Sequence, residues 1–213
     1  DELIKLCKIL NGFNGEDTYA LALRGDKEWQ NIVTAYITTY TNYGAKDFDI
    51  ENGKLISKVN SKEAVDMTSM WVKLIKTGAS PAWTSYKWYQ AGADLGAGKV
   101  AMLFDADNNG FFQNIDGYSN EAGNIAWTTS PVQKKGDTAK SNLWTWGLAI
   151  NSYSKHQIAS WLFLQYFTSK EFLLSASLNG EIMDPARESI LNNPLFLKKI
   201  SKFDGYLDKI GRA

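Results

Sequence analysis

The sequence predicts an α/β or α+β chain on three observations: short apolar runs bounded by Gly, Asp or Pro, longer segments with helical apolar spacing and capping residues, and an irregular mixture of the two without a regular βαβ count. At 213 residues it is long enough for one sizeable domain or two small lobes, and it can bury a core without staples. Cys7 is the only cysteine, so no disulfide closes within the chain. Its place in the apolar pattern "ELIKLCKIL" makes it a small buried hydrophobe.

The elements follow in order. Residues 2–10 read as an amphipathic helix in place of a signal peptide, ended by "NGFNG". "TYALAL" (18–23) alternates toward a buried strand, with Arg24 and Gly25 directly after it. "WQNIVTAYITTYTNYG" reads as a helix despite its β-branched residues, and "DIENGKL" carries the Asn-Gly signal of a small hairpin. Asn60 and Glu63 form a capping-box pattern ahead of a helix with apolar Ala64, Met67, Trp71, Leu74 and Ile75, stopped at Gly78. "PAWTSYKW" reads as an irregular aromatic loop. "GKVAMLFD" (98–105) reads as a buried strand, as do "NIAWTTSP" and "LWTWGLAI" on either side of the polar loop "VQKKGDTAKSN". Ser154 and Gln157 cap "KHQIASWLFLQYF", Thr168 and Glu171 cap "KEFLLSASL", and Gly180 closes the pair. "IMDPARESIL" turns into a short helix and Pro194 opens the last helical stretch. Trp71, Trp127 and Trp161 fall on core-like positions.

Composition narrows the function. Twenty-three basic and twenty-three acidic residues balance, and no basic face with interleaved aromatics tracks a phosphate backbone, so nucleic acid is not an expected partner. The best apolar run, "ASWLFLQYF", is far too short to span a bilayer. Eight tryptophans and ten tyrosines exceed what the core positions use, and the surplus suits a binding surface.

The stretch "DADNNGFFQNID" matches a calcium loop at nearly every ligand position, from Asp105 and Asp107 through Asn109 and Gly110 to Asp116. An EF-hand needs a helix on each side, however. Here a strand enters, "GYSN" follows, and the twelfth position is Asp where a bidentate Glu belongs. A bare calcium-binding loop stays open. Catalysis finds little support: His156, the only histidine, lies in a first helical turn and leaves a serine or cysteine nucleophile without a base. Asp105 and Asp107 form the one carboxylate pair suited to a carbohydrate-active enzyme, but two acids on one loop do not flank a sugar from opposite sides. Zinc spacing and phosphate-binding glycine loops are absent, so no cofactor is expected. Recognition is the chemistry that remains.

The succession "GKVAMLFDADNNGFFQN", "NIAWTTSPVQKKG", "NLWTWGLAINSYSKHQIASWLFLQYFTSKEF" and "NGEIMDPARESI" resembles the extracytoplasmic solute-binding proteins of carbohydrate ABC transporters. The front half agrees, since "LRG" with a nearby Trp is most like the family's polyol and sugar binders. The resemblance implies a periplasmic-binding-protein-like (type II) fold, an extracytoplasmic location in the periplasm or on the cell surface as a lipoprotein, a carbohydrate or polyol ligand, a membrane permease as partner, and no catalysis. Family members carry a substantial portion before the first helix, and usually a further helical tail. The resemblance therefore implies mostly one lobe: residues 1–104 and 168–213 as the C-terminal-type lobe, and 105–167 as crossover and return segment of the other.

By position, the resemblance places Asp105, Asp107 and Asn108 beside the ligand, as hydroxyl acceptors and donors. Trp144 and Trp146 would share one face of a strand, with core packing as the alternative. Arg187 suits either bidentate recognition or a structural ion pair. Arg24 and Trp29 carry similar weight, and Trp83 and Trp88 could stack on ligand or cap the core.

Overall fold

The computed structural model describes residues 1–28, 33–180 and 184–209. Two compact units divide the chain: Asp1–Ile125 with Thr129–Asn142, and Ala126–Thr128 with Leu143–Ala213.

In the first unit, α1 (Glu2–Leu10) leads into β1 (Tyr19–Ala22), followed by α2 (Val33–Asn42). A hairpin of β2 (Phe48–Glu51) and β3 (Lys54–Ser57) turns through Asn52 and Gly53, both at positive φ, the backbone that the Asn-Gly pair predicts. The long α3 (Lys62–Gly78) comes next, capped by Ser61, whose hydroxyl accepts from Ala64 N–H, one residue later than the expected Asn60. Residues 81–88, expected as loop, are ordered, and a helix not foreseen from the sequence follows. Pro81–Ser85 form a 3-10 turn and Trp88–Gly96 form α4, whose start is fixed by Gln90 Oε1 accepting from Lys87 N–H. Then β4 (Val100–Leu103) runs into α5 (Asp107–Gln113), so the expected polar loop is largely helix.

The strands β1 and β4 pair in parallel, with Tyr19 opposite Val100 and Ala22 opposite Leu103, and a further parallel bridge joins Leu21 to Ala79. The main core gathers Ile4 and Cys7 of α1, Leu21 and Leu23, Tyr40 of α2, and Met67, Trp71 and Leu74 of α3. Burying side chains such as Met67 and Leu74 stabilises by about 1.5–3 kcal/mol each. A second cluster joins Ala22 and Val100 to Ala91 of α4.

The second unit holds α6 (Gln157–Phe167), α7 (Lys170–Asn179), α8 (Glu188–Leu191), α9 (Pro194–Ile200) and α10 (Tyr206–Lys209). Ser169, not Thr168, caps α7, and Gly180 follows its last residue. Trp127 packs edge-on against Phe203 and Tyr206. Three expectations need correction. Residues 124–131 and 143–150 form no strand: alternation alone supplies no neighbouring strand, and a single backbone bond, Trp127 N–H to the Asp204 carbonyl, makes no ladder. Trp144 and Trp146 therefore share no sheet face. Trp161 is more than half exposed on α6, a helix that is apolar on every side.

Candidate ligand site at the carboxyl ends of β1 and β4

The parallel register of β1 and β4 is offset by 81 residues, since Tyr19 faces Val100. Extending that offset beyond the strands sets Arg24 opposite Asp105. Phe104 N–H donates to the Ala22 carbonyl at 3.0 Å, which carries the pairing one step further. The side chains then meet as a two-pronged charge pair: Arg24 Nε donates to Asp105 Oδ2 at 2.7 Å and Nη2 to Oδ1 at 2.5 Å. The Asp105 side chain is fully buried and that of Arg24 is 11% exposed. Asp105 Oδ1 also accepts from Ala106 N–H at 2.6 Å.

The chain that follows the Ala79 bridge packs on Gly25 and Asp26, the residues directly after Arg24. Gly25 and Asp26 N–H both donate to the Tyr86 carbonyl at 3.2 Å. The six-membered ring of Trp83 rests on Gly25, where a Cβ would come within 1.9 Å of Cε3, so only glycine fits beneath the ring. Behind the loop, Tyr86 hydroxyl donates to Asp94 and lies 3.3 Å from Ser80 Oγ. Burial, then the Asp94 bond, pushes the Tyr86 phenol above its usual value. Trp88 opens α4 with 40% of its surface exposed, and its ring leans on Phe112 at 6.0 Å. Asp107 and Asn108, both half-buried, form the first turn of α5, where an acid suits the positive end of the helix.

Six of the residues singled out from the sequence thus lie in the first unit, at the carboxyl ends of parallel strands, where open α/β sheets bind their ligands. Trp29 lies outside the described residues. Trp144, Trp146 and Arg187 belong to the second unit. There Arg187 forms no ion pair with a carboxylate among the described residues. It donates through Nε and Nη2 to the Thr168 carbonyl at 2.9 and 2.6 Å, capping the carboxyl end of α6. Trp144 is 42% exposed and Trp146 80%.

The arrangement suits neutral, hydroxyl-rich molecules better than a cation or a reacting sugar. A calcium loop would need Asp105 and its neighbours to converge on one point, whereas Asp105 is occupied by Arg24 and residues 107–113 wind into a helix. Among the described residues no group of three or more His, Cys, Asp or Glu is placed to hold a metal ion. Sequence reading missed Gly92, and it set Asn109 in a calcium-loop pattern where the structure buries it against Gly92 between α4 and α5. Their signal was two glycines one turn apart, Gly92 and Gly96, in a stretch with otherwise helical spacing.

Helices packed on a short parallel sheet, with aromatic and amide side chains gathered around an ion pair at its carboxyl edge, define a ligand-binding α/β protein. The chain belongs to the bacterial extracellular solute-binding protein family, whose sequence profile matches residues 1–172. It is 34% identical over 208 residues to an erythritol/L-threitol-binding protein of Mycolicibacterium smegmatis, covering 98% of this chain and 43% of that one. Among solved structures it is similar to a solute-binding protein of Agrobacterium vitis S4 with bound D-mannitol (TM-score 0.79, 25% identity, 93% of this chain and 47% of that one). A ribitol complex from Agrobacterium radiobacter K84 shares the fold (TM-score 0.75, 24% identity, 95% and 49%), as does maltose-bound MalE3 of T. maritima (TM-score 0.79, 22% identity, 93% and 49%). The chain spans about half the length of the relatives it matches. The fold is therefore that of type II periplasmic binding proteins, over part of their length. The location is extracytoplasmic, as the family's description states, and the relatives are named as binding proteins, not as enzymes. No helix among the described residues is long and apolar enough to cross a membrane.

Proposed function

We propose that the chain is part of the substrate-binding component of an ABC importer, taking a polyol or sugar into a cleft between two lobes and delivering it to a membrane permease. The observation that carries this reading is the polar and aromatic edge of β1 and β4 in a chain similar to a protein named for erythritol and L-threitol and to solute-binding proteins solved with ribitol and D-mannitol. A linear polyol offers a row of hydroxyls, each both donor and acceptor, on an apolar carbon chain. Asp107 and Asn108 serve the hydroxyls, while Trp83 and Trp88 cover the carbon face. Arg24, held in place by the buried Asp105, forms the floor, using the N–H groups that the ion pair leaves over.

In this reading residues 105–167 cross to and return from the second lobe of the full-length protein. Ligand then stabilises the closed arrangement of the lobes, the form that docks on the permease.

The test is a melting curve of the full-length protein with erythritol, L-threitol, ribitol, D-mannitol and maltose in turn. A ligand at a hundred times its Kd adds about 2.7 kcal/mol of stability. For a full-length protein about twice the size of this chain that raises the melting temperature by about 3 °C. A flat response to all five overturns the reading.

A further inference from the structure

The contact between α4 and α5 is built from two glycines and two amides. Gly92 and Gly96 stand one turn apart on α4, facing Asn109 and Gln113 one turn apart on α5, and all four are buried. A Cβ on Gly92 would lie 1.9 Å from Asn109 Oδ1, and one on Gly96 would lie 2.2 Å from Gln113 Oε1. In glycine that direction is a Cα–H bond, so each amide oxygen lies in the path of a weak donor. Asn109 Oδ1 receives no N–H or O–H bond among the described residues, and the Cα–H contact is what faces it. The other end of the amide is committed: Nδ2 donates to the Trp88 carbonyl at 2.8 Å.

We infer that Asn109 is a positioning residue that holds Trp88 against the ligand, an inference that rests on the polyol-binding reading above. Trp88 is the first residue of α4, while Asp107 and Asn108 are the first two of α5. The amide bond therefore ties an aromatic face on one helix to the hydroxyl-binding turn of the other. Apolar packing would hold the two helices together but would leave α4 able to slide and rotate. A hydrogen bond to one carbonyl, with an amide seated over a glycine, sets a single register. Asn109 reaches the ligand only through Trp88, and its effect on affinity depends on that tryptophan.

The test uses the full-length protein with erythritol and D-mannitol as probes and 5-fluorotryptophan as label. Asn109→Asp keeps the shape and turns the donor into an acceptor facing the Trp88 carbonyl. It should shift or broaden the fluorine resonance of Trp88, leave that of Trp71 in place, and weaken polyol binding about ten-fold. In a Trp88→Ala background the same substitution should change affinity less than about two-fold, because coupled residues are not additive. Gly92→Ala, which drives a methyl into Asn109, should reproduce both effects and serves if Asn109→Asp does not fold. An unmoved Trp88 resonance overturns the inference, as does a ten-fold loss that persists without Trp88. If neither polyol binds the unsubstituted protein, the polyol reading falls, while the fluorine resonance still decides whether Asn109 fixes Trp88.

Discussion

Asp105→Asn is the substitution that most sharply probes the edge of β1 and β4. It keeps the shape of the side chain and removes its charge, leaving the Arg24 guanidinium, 11% exposed, with no carboxylate at 2.5–2.7 Å. Removing one partner of a buried ion pair typically costs about 3–5 kcal/mol, because the remaining charge stays desolvated. Arg24→Lys keeps the charge but replaces the two-pronged fork with a single point. That loss is one charge-assisted hydrogen bond, about 1.5–3 kcal/mol. Combining Arg24→Met with Asp105→Asn removes the stranded charge as well, so the pair should cost less than the sum of its single changes. Native-state hydrogen exchange at Ala22 and Phe104, the residues joined by the last backbone bond before the ion pair, reads the opening free energy of this edge directly. A loss below about 1 kcal/mol for Asp105→Asn, or strict additivity in the double variant, would refute the placement of a buried charge pair here.

Other expectations follow from the same geometry. Gly25→Ala brings a methyl into the Trp83 ring and carbonyl, and should lower the melting temperature and blue- or red-shift tryptophan emission; an unchanged spectrum would contradict the packing. The raised phenol of Tyr86 makes stability pH-dependent at the alkaline end. The unfolded chain loses this proton near pH 10 while the folded chain keeps it, so the contribution is present below pH 10 and is lost as pH rises through the folded value. Tyr86→Phe should flatten that part of a urea-midpoint profile between pH 9 and 11, and an identical slope in the variant would count against the burial of the hydroxyl. Arg187→Ala removes two hydrogen bonds from the carboxyl end of α6 at an exposed position, for an expected loss of about 1 kcal/mol in a urea titration.

Much of this fold was written in local signals. The helix at α1, the strand at β1, the Asn-Gly hairpin, α3 and β4 each carry their pattern within a few residues. Cap positions slipped by one where two competent residues stand in tandem, Asn60 before Ser61 and Thr168 before Ser169. The sequence offers no means of choosing between such neighbours. Helix α4 was hidden by Gly92 and Gly96, which weaken the helical signal and make sense only beside Asn109 and Gln113 of α5. That second helix was itself disguised as a polar loop by Asp107, Asn108, Asn109 and Gly110. The segments at 124–131 and 143–150 have strand-like alternation, but strand formation depends on a neighbour that no local pattern supplies. The site was legible as a set of residue types and illegible as a set of distances: Arg24 and Asp105 were both singled out, yet their pairing needs the 81-residue register of β1 and β4.

The most direct measurement is isothermal titration of the full-length protein with erythritol, ribitol and D-mannitol, comparing the unsubstituted chain with Trp83→Ala and Asp107→Ala. The carboxyl edge of β1 and β4 as the ligand site predicts that at least one polyol binds and that each substitution weakens it about ten-fold or more at a temperature where all three proteins are folded. Polyol affinity that is the same in all three proteins would place the ligand elsewhere and contradict the account.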